Sequence, residues 1–182
     1  MEINAERVIE LAKSVRPLFM DHERASRITV KGAADFVTQV DFLVQERMRS
    51  GLFDMYPQVQ FMGEEKDNRD IDFSGAVWIL DPVDGTTNLI HDFRSSALSL
   101  ALCDRGQMEL GLIYQPYEDE LFLAQRGKGA FLNGNPIHVS SVKDLGQSLI
   151  SIGTSPYNHD LADRNFEDIK RVFLKCSDIR RT

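Results

Sequence analysis

With 182 residues, 42% of them hydrophobic and 27% charged, the chain has the length and composition of one well-filled globular domain. Its formal net charge is −7 and its only dense basic cluster is Arg180 with Arg181, which leaves no nucleic-acid footprint and means that a phosphorylated ligand must be received by something other than surplus Lys and Arg. No apolar run approaches the ~18 residues of a membrane span, the first ten residues are acidic and amphipathic, and Cys103 and Cys176 belong to no CxxC pair, so a cytoplasmic chain with reduced cysteines and no membrane partner is expected.

From Asn4 to about Asp21 the apolar positions Val8, Ile9, Leu11, Ala12, Val15, Leu18 and Phe19 recur at helical spacing, with Asn4 as N-cap and Pro17 kinking or shortening the helix. After a strand-like RITVKG and a polar turn, Val40, Leu43, Val44, Met48, Leu52 and Met55 mark a second amphipathic helix, ended by Tyr56 and Pro57, with Asp41 in its first turn. Two short apolar runs follow, VQFMG and AVWIL. Each stops in acid, at Glu64 and Glu65 after the first and at Asp81 after the second. EKDNRDIDFSG between them reads as a solvated loop. From residue 95 to residue 139, ALSLALC, ELGLIY, ELFLAQ and GAFLNGNPIHV are separated by the turn signals Arg105-Gly106, residues 116–119 and Asn133-Gly134, which predicts an antiparallel meander. SLISIGTS is a further strand, and residues 165–174 are the last helix.

Four acidic positions share one setting, the end of a strand or the start of a helix: Asp41, Glu64, Asp81 and Asp84. Two carboxylates about 4 Å apart at an effective dielectric near 20 repel by roughly 4 kcal/mol, so such a cluster must be spread out, protonated or neutralised. Mg²⁺ is the economical solution, because it takes oxygen ligands and leaves room for water and phosphate. DPVDGTTN reads as a tight turn in which Pro82 fixes the backbone between the two aspartates, so that both side chains and the Val83 carbonyl could turn toward one point. Gly85 permits close backbone approach, and Thr86, Thr87 and Asn88 open a short helix. A lone DPVDGT would more often be structural; GEE one strand upstream reverses the balance.

These residues resemble the inositol monophosphatase family of Mg²⁺-dependent phosphatases, through KGAADFVTQVD (31–41), FMGEE (61–65), WILDPVDGTTNLIH (78–91) and GKGAFLNGNPI (127–137). The resemblance implies an α/β fold of the α+β type, a layered αβαβα sandwich with a mainly antiparallel sheet whose C-terminal layers are truncated. Residues 1–145 would form the metal-binding part and residues 146–182 the start of a second. It also implies that Glu64, Asp81 and the Val83 carbonyl hold one metal, that Asp81 bridges to a second bound by Asp84, and that two or three Mg²⁺ ions serve each site. Phosphate would sit against the metals and the backbone of Gly85 and Thr86, with Asp41, Glu64 and Thr86 around the attacking water. Lys31 would belong to the loop preceding Asp41.

The implied activity is hydrolysis of a small phosphorylated polyol resembling inositol 1-phosphate, with lithium sensitivity and a homodimer. Fructose bisphosphate, histidinol phosphate or a nucleotide are alternative substrates on the same scaffold, and an inactive metal- or phosphate-binding fragment is the non-enzymatic alternative. Relatives continue past the position of SDIRRT to a Trp-Asp motif, so a truncated chain with an incomplete second metal site is expected. Rival chemistries fit poorly. Asp81 and Asp84 are three apart rather than two as in haloacid dehalogenases, no GxxxxGK[ST] loop is present, and Ser155 lacks the GxSxG elbow. His22, His91, His138 and His159 read as surface or packing residues.

Overall fold

A computed structural model describes residues 3–32, 35–64, 67–154 and 158–181, with the backbone alone at residues 31, 32 and 35. Glu65 and Ser155 lie outside the described residues, as does the side chain of Lys31. The chain forms two compact units, Met1–Lys31 with Phe36–Ile137, and Gly32–Asp35 with His138–Thr182.

In the first unit, α1 (Ala5–Lys13) is capped by Asn4, whose side chain accepts from the Arg7 N–H at 3.2 Å. The span from Asn4 to about Asp21 is broken near Pro17 as expected, into α1 and α2 (Arg16–Phe19), and a further short helix, α3 (His22–Ala25), follows it. Pro17 explains the first break. It has no N–H to give Lys13, and its ring would strike that residue's carbonyl, so α1 ends there and α2 restarts with the proline in its first turn. Asp21 caps α3 by accepting from the Arg24 N–H at 3.0 Å.

A two-stranded ribbon, β1 (Ile28–Gly32) and β2 (Asp35–Thr38), leads into α4 (Gln39–Met55), which buries Val40, Asp41, Val44, Met48 and Leu52 along one stripe. It stops before Pro57, as the sequence predicts.

The main sheet has seven strands in sequence order: β3 (Gln60–Gly63), β4 (Ala76–Asp84), β5 (Ala97–Asp104), β6 (Gln107–Gln115), β7 (Glu120–Gln125), β8 (Gly129–Leu132) and β9 (Asn135–Ile137). β3 and β4 are parallel; every later pair is antiparallel, so the mixed α/β class with a mainly antiparallel sheet is what is observed. Arg105-Gly106 and Asn133-Gly134 both have positive φ at both residues, the condition for a tight two-residue hairpin matched to strand twist. The core lies where Leu80, Leu98, Leu100, Leu102, Leu110, Leu112, Tyr114 and Leu121 meet the buried stripes of α1 and α4.

In the second unit, β10 (Leu149–Ile152) pairs in parallel with β11 (Asp178–Arg181), joined through α6 (Ala162–Phe173). The sequence reading missed β11, a four-residue DIRR with no apolar alternation to mark it. Among the described residues no helix is long and apolar enough to cross a membrane.

Candidate active site

Two features of β4 build the site. The first is register: Gly63 at the end of β3 lies opposite Leu80 of β4, and the Glu64 N–H donates to the Leu80 carbonyl at 3.1 Å. Glu64 and Asp81, the next residue on each strand, therefore leave the parallel pair side by side.

The second feature is a bulge. Asp81 pairs with Ser99 but Asp84 pairs with Ala97, so three steps on β4 match two on β5. In a regular strand, residues three apart face opposite sides; the extra residue brings Asp84 back toward Asp81. The tight turn expected from DPVD is thus a strand that continues to Asp84, with Pro82 tolerated because the ladder is already broken there. The Val83 N–H donates to Asp81 Oδ1 at 3.1 Å, which ties the first carboxyl to the bulge itself.

Electrostatics follow from this placement. Burial pushes the Asp81 carboxyl up to about 7, helped by repulsion from Glu64, a hydrogen bond with Glu64 and the charge of Asp84. Glu64 and Asp84 are exposed, Asp81 half-buried. A cavity of about 280 Å³ opens here, lined by Glu64 and Asp81 together with Met62 and Asn68.

After the strand, Gly85 adopts the left-handed conformation (φ 85°, ψ 43°), and the chain turns into α5 (Thr86–Ile90). A Cβ at Gly85 would meet the Ser95 carbonyl oxygen at 3.0 Å and Asn88 Nδ2 at 3.2 Å. Gly85→Ala is expected to cost at least ~1–2 kcal/mol from the left-handed backbone alone, read as a lower urea midpoint at unchanged slope.

Asp41 reaches the same place from α4. It is 2% exposed and sits at the third helical position, where Thr38 Oγ donates to Asp41 Oδ2 at 2.6 Å and the Thr38 N–H donates to the same oxygen at 2.8 Å. This is a capping box with Asp in the usual Glu position. Its other oxygen, Oδ1, lies 3.1 Å from Thr86 Oγ1, which is also 3.0 Å from the Val83 carbonyl. One hydroxyl has one proton, so Thr86 donates to one of these acceptors at a time.

The fold therefore links Asp41, Thr86 and Val83 by hydrogen bonds, and Glu64, Asp81 and Asp84 by register and charge. Sequence reasoning missed Thr38 and Ser96. Thr38 was legible as the start of a T-x-x-D capping box. Ser96 carried no signal, yet it is 1% exposed and its hydroxyl donates to the Gly85 carbonyl at 2.9 Å. The four histidines are exposed, and Cys103 and Cys176 are free thiols.

Could these residues hold a metal? The donor set is all oxygen and the crowding at Asp81 is of the kind a hard cation relieves, which fits Mg²⁺. Among the described residues no group of three Asp, Glu, His or Cys side chains is placed to hold a metal ion. Glu64 and Asp81 instead hydrogen-bond to each other.

A mixed α/β protein with carboxylates and hydroxyls gathered at strand ends is the class that fold and site define. The chain belongs to the inositol monophosphatase family, whose model matches residues 2–182. It is 37% identical over 163 residues to an inositol monophosphatase of Dictyostelium discoideum, covering 87% of this chain and 59% of that protein. The Nus factor SuhB of Vibrio cholerae is likewise 37% identical over 163 residues, covering 88% of this chain and 61% of the relative. Among solved structures, the extragenic suppressor protein SuhB of Bartonella henselae matches with a TM-score of 0.86 at 30% identity, over 97% of this chain and 69% of that one. The chain thus spans about three fifths of the length of the two curated relatives.

Proposed function

We propose that the protein carrying this chain is a Mg²⁺-dependent phosphomonoesterase that hydrolyses a small phosphorylated polyol, resembling inositol 1-phosphate, by direct attack of water. The observation that carries this reading is the convergence of Glu64, Asp81 and Asp84 through parallel register and bulge, one strand end from the Asp41–Thr86 pair. Family membership supports a phosphatase.

In this reading Glu64, Asp81 and the Val83 carbonyl would hold one metal and Asp81 with Asp84 a second, and such ions would lower the pKa of a water and neutralise phosphate charge. Asp41 is buried and fixed by Thr38, so its carboxylate has little freedom to swing away. It accepts the Thr86 proton, which leaves the Thr86 oxygen lone pairs free to accept a hydrogen bond from a water held between Thr86 and Glu64. Gly85, having no side chain, leaves the backbone of Gly85 and Thr86 open to a phosphate oxygen, and Ser96 keeps that backbone in place from behind. Water attacks phosphorus in line with the departing alkoxide, and no covalent intermediate forms.

The Asp81 carboxyl makes the metal's effect pH-dependent. Its folded value of about 7 lies above the ordinary carboxylate value, so its stabilising contribution is complete below that ordinary value and disappears as pH rises through about 7. Added Mg²⁺ is therefore expected to raise the melting temperature of the metal-free protein by roughly 5–10 °C at ~100 times its Kd near pH 7.5, and by less near pH 5.5, where it must displace a proton. Scanning calorimetry with and without chelator checks this; an equal shift at both pH values would argue against binding at Asp81.

Phosphate release from a panel of monoesters, among them inositol 1-phosphate, fructose bisphosphate, histidinol phosphate and nucleotides, tests the activity and ranks substrates. Mg²⁺-dependent release that is lost in Asp84→Asn supports an enzyme. Mg²⁺ binding with no release from any ester would reduce the protein to a binding module. Titrating Li⁺ into the same assay and measuring sedimentation test the lithium sensitivity and homodimer that the family suggests.

A further inference from the structure

The loop between β3 and β4 is held by two side-chain amides that act as short strands, Asn68 within it and Gln60 at the start of β3. Asn68 pairs with both backbone groups of Gly63: its Nδ2 donates to the Gly63 carbonyl at 2.7 Å, and its Oδ1 accepts from the Gly63 N–H at 3.3 Å. Gln60 does the same for the far end of the loop, donating to the Asp72 carbonyl at 2.7 Å and accepting from the Asp72 N–H at 2.9 Å. Only the first of these lies against the site. Gly63 immediately precedes Glu64, and Asn68 lines the 280 Å³ cavity beside Glu64 and Asp81.

We infer that Asn68 is a positioning residue for Glu64: by pairing with both backbone groups of Gly63 it fixes the end of β3 at the register that brings Glu64 beside Asp81. The inference deepens the proposed reading of the site and rests on it. β3 is the edge strand, so on the side away from β4 the Gly63 backbone has no strand neighbour, and Asn68 supplies one. The position is crowded on its Cα side, since a Cβ there would come within 2.2 Å of Gln45 Oε1, the movable end of a side chain, and 3.0 Å of the Phe61 ring. The Asn68 amide is the contact that takes both Gly63 backbone groups. Without that amide the last residue of a four-residue strand is held by β4 alone, and Glu64 gains a range of positions of which only some pair with Asp81. Asparagine suits the role because it both donates and accepts on a short arm. Aspartate could only accept, and glutamine is one methylene longer.

Asn68→Ala tests the inference on the same chain, with Gln60→Ala as a control that loosens the loop at its other end. Two readouts are needed. Hydrogen exchange of the metal-free protein should show the Gly63 amide exchanging about tenfold faster or more in Asn68→Ala and unchanged in Gln60→Ala. Calorimetric titration with Mg²⁺ alone should show Kd rising about tenfold in Asn68→Ala, within the range expected when a group supporting a metal ligand is removed, and staying within about twofold in Gln60→Ala. Phosphate release at saturating Mg²⁺ should be largely restored.

Unchanged Gly63 exchange in Asn68→Ala would overturn the pairing. Faster exchange with unchanged Mg²⁺ affinity would overturn the positioning role, as would an equal loss of affinity in Gln60→Ala. If Glu64→Gln leaves Mg²⁺ affinity untouched, the reading of the site fails, and this inference with it. Glu64→Gln weakening binding while Asn68→Ala does not would sink the inference alone.

Discussion

Asp81→Asn is expected to make the metal-free protein more stable and the enzyme nearly inactive. Asparagine keeps the oxygen that accepts the Val83 N–H at 3.1 Å, so the bulge retains its internal tie. It removes the charge that burial, Glu64 and Asp84 all oppose. Because Asp81 is only half-buried, solvent screens much of that penalty, and the gain should be about 1 kcal/mol or less, a rise of ~2–4 °C in melting temperature above neutral pH. The gain should shrink toward pH 4, where the wild-type carboxyl is itself protonated. Activity should move the other way. A metal-binding group that supplies roughly 4 kcal/mol of transition-state stabilisation corresponds to about 10³-fold in rate. Calorimetry in chelator and phosphate release in Mg²⁺, on the same two preparations, check both halves. A destabilised Asp81→Asn protein would show that Asp81 is a structural carboxylate, and an active one would remove it from the site.

Asp41→Asn is expected to lower both stability and rate, through separable contacts. The Asp41 Oδ2 oxygen receives two hydrogen bonds from Thr38 in a position 2% exposed to solvent. An amide there must either turn its NH₂ toward the Thr38 N–H, leaving buried donors facing each other, or keep its oxygen there and aim the NH₂ at Thr86. Loss of the cap and burial of an unmatched donor together should cost about 2–3 kcal/mol. Over a chain of this length that lowers the melting temperature by roughly 5–10 °C. The same change removes the acceptor that orients the Thr86 hydroxyl, for which a rate loss of about 10²–10⁴-fold is expected. Thr86→Val separates the two effects. It deletes the hydroxyl 3.1 Å from Asp41 and leaves the Thr38 cap intact, so the rate should fall with little change in stability. If Thr86→Val retains full activity while Asp41→Asn loses it, the hydroxyl is not part of the water-handling machinery.

These two residues also show how much of the site could be read in advance. All the acidic positions were legible, because each stands where an apolar run stops or a helix begins. Asp84 was legible as a candidate but its partnership with Asp81 was read as a turn. Three-residue spacing in an extended strand points side chains apart, and only the β4–β5 pairing reveals the bulge that corrects it. Thr38 was within reach through its capping-box spacing to Asp41. Ser96 and Asn68 were not, since a serine just before an apolar strand and an asparagine in an acidic loop look the same whether or not they hold another residue's backbone. The apolar period continues through Pro17 although the helical hydrogen bonds do not, so the proline rather than the periodicity marks where α1 gives way to α2.

What the sequence determined by itself is what depends on near neighbours: the apolar stripe of α4, the hairpin turns at Arg105-Gly106 and Asn133-Gly134, the acidic strand ends, and a net charge that rules out binding phosphate by surplus base. These follow from side-chain period, from backbone angles open to few residues, and from composition. Tertiary structure alone decided which carboxylates meet. Glu64 and Asp81 are 17 positions apart, Asp41 and Thr86 are 45, and neither interval has a period that encodes contact. Strand register and the packing of α4 bring them together, and both are set by burying a shared core rather than by any local preference of the residues that then do chemistry.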